Sequence, residues 1–425
     1  MSHINDWDWN SGKRIITDIR QWHENFDRVE EPYASPDGES VAAIVKVDEM
    51  AFSVCENGAT WESSFDKIWF LRYGPDNQAT ALVSDTAMWT VAVAGTPWEN
   101  WFEFVWDTKF GIHEGHVTVA AQNEMAYFAV TDDQPWENGF LTLSHLKASP
   151  SGRFAAAVVQ TKPINEADIA AFQAGCYTVA VNGTAWPLNF LNVWELAFDP
   201  DEKRVAAEAR ININDYTIVV DGTPWQRQFA SVWEPAFSPA DGSVTAPVRV
   251  DGGWSLARDG EILWPNKYFQ LWHHIYSKNG KRIAAIVSPK FGRWTIAIDD
   301  KPWQLTFKDL VTDLTFSPDG RRCACVGKTD GRWTIAVDGR AWNDNYDMVW
   351  GPVFSPDGKH LAAKTEKNGI YRIIVNDKPI KLDYKALWNP VFSPKGDKLL
   401  IRGVGTGKDD GKYVRTVMTL DEILG

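Results

Sequence analysis

The chain has 425 residues, of which 44% are apolar, so it is long enough to bury a large core and is not a disordered class. Its 56 acidic and 43 basic residues leave a formal charge of −13, which excludes the basic footprint needed for nucleic acid or an anionic membrane surface. Four cysteines are too few for a disulfide framework, no window approaches the apolar length of a membrane span, and the start M-S-H-I-N-D-W-D-W-N has no apolar leader, so a cytoplasmic protein is expected.

From the amino terminus, Trp7 and Trp9 precede the first W-x-x-x-[FY] element, Trp22 with Phe26. That element recurs at Trp61, Trp98, Trp136, Trp186, Trp225, Trp264, Trp303 and Trp342, with spacings of 37, 38, 50, 39, 39, 39 and 39 residues, and once more as Ile380 with Tyr384. A second tryptophan column follows eight residues later, at Trp69, Trp106, Trp194, Trp233, Trp272, Trp350 and Trp388. A third aromatic column lies nine residues upstream, from Phe52 to Tyr371, with Trp254 one residue out of step. A fixed period of this kind is the mark of a repeat architecture.

Within each unit, W-T-I-A-V-D-G at 333–339 reads as a strand ending in an Asp-Gly hairpin, and F-S-P-D-G at 316–320 and 354–358 as a second turn, with proline and glycine at the positions that need their backbone geometry. Each unit then has four strands: a before S-P-D-G, b after it, c ending at Asp-Gly, and d carrying W-x-x-x-[FY]. The fold class is therefore all-β, a β-propeller of about ten four-stranded repeats of ~39 residues. Residues 1–32 form a tail and a closing d strand at Trp22 to Val29, and residues 33–425 form the repeats; the last unit, Pro390 to Leu420, has no d strand of its own, so the amino-terminal strand is expected to complete it. Two smaller propellers also satisfy the count.

Few motifs carry chemistry. There is no C-x-x-C-H for haem, no cysteine set for an iron–sulfur cluster and no G-x-S-x-G elbow, so neither cofactor, metal nor catalytic residue is assigned and the chain is not read as an enzyme. Cys323 and Cys325 align with Leu361 and Ala363 of the next unit and read as core. His113 with His116 and His273 with His274 are the only metal candidates, and neighbours on a strand face opposite ways. The run 402–412 departs from a phosphate loop in spacing and reads as the b–c loop of the last unit, while Asp221, Asp319, Asp338 and Asp357 read as turn residues. The tryptophans Trp22, Trp61, Trp98, Trp136, Trp186, Trp225, Trp264, Trp303 and Trp342 recur in nearly every unit, which favours plates packed between blades over a ligand site.

The S-P-D-G turn after an aromatic strand resembles the TolB-type, WD40-like propeller repeat over nearly the whole chain, which implies fold and says little of function. The density of the tryptophan columns is similar to that of the tryptophan-rich subunits of transmembrane electron-transfer complexes of sulfate-reducing bacteria. That resemblance implies an accessory cytoplasmic subunit whose partners, an iron–sulfur protein and a membrane cytochrome among them, hold the redox groups. Non-catalytic interaction is thus the expected function, with a propeller enzyme or a ligand binder using the central channel as the alternative. The one irregular segment, 161–175, enlarges a b–c loop. It carries a short helix with Asn165 as its expected N-cap, and the b–c side is expected to bind the partner through Ile164, Ile169 and Phe172.

Overall fold

A computed structural model describes residues 4–112, 115–164 and 168–425. Eight four-stranded antiparallel sheets follow one another along the chain, and a further sheet joins the last two units. In blade eight the strands are a, Leu310–Phe316, b, Cys323–Thr329, c, Arg332–Val337, and d, Arg340–Ala341. Phe316 pairs with Cys323 as Phe354 pairs with Leu361 in blade nine, so the cysteines occupy the core positions their alignment indicates. Burial pushes both thiols up, which keeps them protonated.

The d strands are shorter than expected. Each pairs for two residues just before the tryptophan, and the chain then returns to strand c at a single bridge made by the aromatic four residues on, as in Trp333 with Tyr346. Trp254 keeps this bridge, to Tyr268, because the extra residue is absorbed before the tyrosine. In the ninth unit Tyr384 both bridges to Tyr371 and opens the next a strand, Tyr384–Leu387, which is why the last two blades form one sheet.

Two local devices explain the repeated turns. The Asp or Asn that begins the c–d turn sits at φ of 46 to 51° in eight blades, and its side chain accepts the first N–H of strand b at 2.9–3.0 Å, as Asp338 does from Cys323. The turn aspartates are thus accounted for by backbone hydrogen bonding. The glycine that follows supports the neighbouring blade: a Cβ on Gly95, at φ +83°, would stand 2.9 Å from the Trp61 indole, and Gly183, Gly222 and Gly339 lie likewise under Trp136, Trp186 and Trp303. Three blades replace this glycine with Asp133, Asp300 or Asp377, whose carboxylates accept backbone N–H groups of the previous blade beside Trp98, Trp264 and Trp342. Replacing Asp338 with alanine leaves the Cys323 N–H without a partner and is expected to cost about 1–2 kcal/mol in a chemical denaturation curve.

The core consists of slabs between successive blades, for example Ala324, Val326 and Ile335 against Val349, Phe354 and Leu361. Blade ten packs on blade one through Val404 and Tyr413 against Val41 and Val45. The closing strand is Gly12–Asp18, antiparallel to strand c of the last unit, Lys412–Thr419, and not Trp22 to Val29 as its motif led us to expect. Trp22 lies instead on a helix, Ile19–Asn25, started by the Asp18 side chain, which accepts from the N–H of Arg20. It is 2% exposed and fills the slab between blades ten and one. Among the described residues no helix is long and apolar enough to cross a membrane.

Candidate functional site

The a strands of blades three to eight bound a cavity of about 1620 Å³. In five of these six blades the strand bulges just after the residue of the second tryptophan column, where Asp107, His145, Glu195, His273 and Asp313 take φ values of 25 to 56°. A bulge of this kind re-aims a side chain, and Asp107, His145, Glu195 and His273 line the cavity. Blade six has Glu234 at the same position, and its carboxylate accepts the His273 N–H at 2.6 Å. The column packs ring on ring against the third one in blades five to seven: Trp194 on Tyr216 at 6.2 Å, Trp233 on Trp254 at 5.5 Å and Trp272 on Trp294 at 4.5 Å between ring centroids.

Three charged residues break the repeat, Glu208 in blade five, Lys364 in blade nine and Arg402 in blade ten, and Glu208 is the acid among them. Opposite the column position strand b carries Leu82, Ala120, Val158, Ile286 and Val326 in blades two, three, four, seven and eight, but Glu208 in blade five, paired with Trp194. Glu208 is 8% exposed, lines the cavity, and makes no hydrogen bond or ion pair with any described residue. Burial, and then the charges of Glu234 and Glu195, push its carboxyl up to about 8, so it holds a proton at neutral pH. Burial raises Glu234 as well. Lys364 is the corresponding residue of blade nine, 3.7 Å from the centroid of Trp350 and lowered to about 8 by burial. His274 is separated from His273 by the bulge and is buried; its Nε2 lies 2.9 Å from the Thr245 hydroxyl and burial lowers it to about 4.

His273 and His274 therefore do not converge. His113 lies outside the described residues and His116 pairs with Asp132. No group of three or more His, Cys, Asp or Glu side chains among the described residues is placed to hold a metal. Trp7 and Trp9, outside the repeat, stack on each other at 6.1 Å, and Trp101 packs between blades one and two.

On the other candidate surface, residues 161–175 carry the helix Ile169–Ala174, and its cap is Asp168, which accepts from the N–H of Ala171; Asn165 lies outside the described residues. Ile169 and Phe172 are exposed and Ile164 is half-buried. They are not alone. Antiparallel alternation puts all b–c hairpins and d–a connections on one side, and there Met50, Met125, Leu141, Ile213, Phe269 and Phe291 are also exposed, Phe269 packing edge-on against Phe291 at 5.4 Å.

Comparison with known proteins returned no family model and no curated protein that matches. Among solved structures the chain is similar to one titled as a eukaryotic initiation factor (15% identity, 76% of this chain and 88% of that one, TM-score 0.43). It is also similar to TolB from Acinetobacter baumannii (15% identity, 73% and 78%, TM-score 0.29) and to the Dos1 propeller (11% identity, 95% and 94%, TM-score 0.34).

Proposed function

We propose that the chain is a non-catalytic interaction subunit that docks a protein partner on its b–c side. The observation that carries this reading is that Met50, Met125, Ile169, Phe172, Ile213, Phe269 and Phe291 are exposed on the hairpins and connections of that side, against Ile112 and Phe154 in the a–b turns of the other. Large apolar side chains gathered on one surface are the usual mark of association. The regular turns on the opposite side are satisfied by their own aspartates and serines, as in Ser317 Oγ with Asp319 at 2.6 Å.

The partner class follows from the tryptophan columns, whose density resembles that of accessory subunits of membrane-bound electron-transfer complexes. We propose an iron–sulfur protein and a membrane cytochrome as the partners, with this chain at the inner face of the membrane and carrying no cofactor itself. Affinity purification from native membranes followed by mass spectrometry tests it: membrane and redox subunits are expected with the wild type. The double variant Ile169→Ser, Phe172→Ser is expected to lose most of that material, roughly tenfold, while its melting curve stays unchanged. Unchanged capture, or a large loss of stability, would show that the helix Ile169–Ala174 belongs to its own blade and not to an interface.

The second reading is a ligand binder using the cavity. Glu208, a buried carboxyl without a partner, is the observation that favours it.

A further inference from the structure

A carboxyl in the wall between blades needs a reason. The position of Glu208 is filled by leucine, alanine, valine or isoleucine in five other blades, so packing does not call for an acid there. Glu208 is 8% exposed and opens on the cavity, so withdrawing the carboxyl from bulk water costs stability. Two more carboxyls line the same cavity, Glu195, which follows the Trp194 that pairs with Glu208, and Glu234 on the next blade, and their charges raise its proton affinity. No lysine or arginine among the described residues pairs with any of the three. Three acids with a common opening to the cavity and no cation of their own constitute half of an electrostatic pair.

We propose that the cavity wall between blades five and six binds a primary alkylammonium group, held by Glu208 in the field of Glu195 and Glu234 and faced by the rings of Trp194 and Trp233.

The chemistry of the wall selects this class. An ammonium carries a positive charge and only N–H donors, which suits a carboxylate that can only accept once ionised and two more acids on the same cavity. Trp194 and Trp233, the latter 41% exposed, line the cavity and offer ring faces to a cation, while Tyr216 behind Trp194 already carries the Arg210 guanidinium 5.6 Å from its centroid. A hard metal ion would instead need six or more oxygen ligands, and the acids are not grouped for one. The alkyl chain of the ligand then lies along the tryptophans. The groups that titrate nearest Glu208 are Glu195, Glu234 and His273, with Arg210 two residues along the same strand turned to the carbonyls of Asn212 and Ile213; Asp107 with its ion-pair partner Lys109, His145, Lys147 and His274 line the rest of the cavity. Since Glu208 is protonated at neutral pH, binding of a cation releases its proton to solvent.

The test is calorimetric titration of the full chain at pH 7 with n-butylammonium, tetramethylammonium and the neutral n-butanol, in two buffers of different ionisation enthalpy, with tryptophan fluorescence recorded in parallel. The expected result is saturable binding of n-butylammonium with up to one proton released, weaker binding of tetramethylammonium, and none of n-butanol. Glu208→Gln and Glu208→Leu, the latter restoring the residue type of blade two, are expected to fold with an unchanged or higher melting temperature. Both should weaken n-butylammonium by at least about tenfold and abolish the proton release. Equal binding of n-butanol or tetramethylammonium, unchanged affinity in the two folded variants, or no heat and no fluorescence change at tens of millimolar would overturn the proposal.

Discussion

Deletion of residues 1–30 is expected to lower the melting temperature by on the order of 10 °C, or to leave the protein insoluble. The deletion removes strand Gly12–Asp18 from its pairing with Lys412–Thr419 and so bares a full edge of the last sheet. It also removes Trp22 from the slab shared by Val41, Val45, Val404 and Tyr413, and truncating a buried tryptophan alone costs about 3–5 kcal/mol. Arg415, 2% exposed by its side chain, would lose the carbonyl of Asp8 and keep only Asp37 and Glu39. Differential scanning calorimetry and gel filtration check this; a truncated chain that melts as the full chain does would show that the amino-terminal strand holds nothing together.

The second large effect is on pH dependence. The folded carboxyl of Glu208 lies at about 8, above the 4.5 of an ordinary glutamate, so between these two values the folded state binds a proton that the unfolded state has released. Its contribution is therefore full below pH 4.5 and lost as pH rises to 8, by up to about 5 kcal/mol for a carboxyl wholly shielded from water. Against this, Glu208→Gln has no proton to lose, and its stability is expected to stay flat over the part of the range governed by this site. Urea unfolding of both proteins at pH 5 and pH 8 measures the difference; parallel slopes would place the carboxyl in a well-solvated setting.

How far the chain could be read without coordinates depends on whether a feature repeats. The tryptophan and Asp-Gly columns recur because the same gap and the same strand-b N–H recur in each blade, so Gly339 under Trp303 and Asp338 on Cys323 were legible as a pattern. The closing strand was misplaced because Trp22 and Phe26 are four residues apart, a spacing that puts side chains on one face of a strand and of a helix alike. What separates them is Asp18 as a cap, a single-residue signal. A ligand binder using the central channel was the alternative reading, but the residues that line the cavity were missed for the opposite reason. Asp107, His145, Glu195, Glu234 and His273 share one position but differ in chemistry, and a search for likeness passes over such a column. The acid at 208, where other units have Val158 or Ile286 and two have the cations Lys364 and Arg402, was the available sign, because a departure from a packing rule is where a repeat protein can depart from symmetry for function.

The pairing of Gly12–Asp18 with Lys412–Thr419 also sets a clock. Roughly 400 residues separate the two strands, so a ribosome adding about 5–20 residues per second makes the second some 20–80 s after the first. Throughout that interval the nascent chain carries a strand without its neighbour and, in Trp22 and Ile19, apolar side chains without their slab. Inner blades can pack on one another as they emerge, while this segment must be kept from pairing with another copy or a passing sheet edge. Holding it, rather than folding the blades, is the step at which a chaperone would act on this protein.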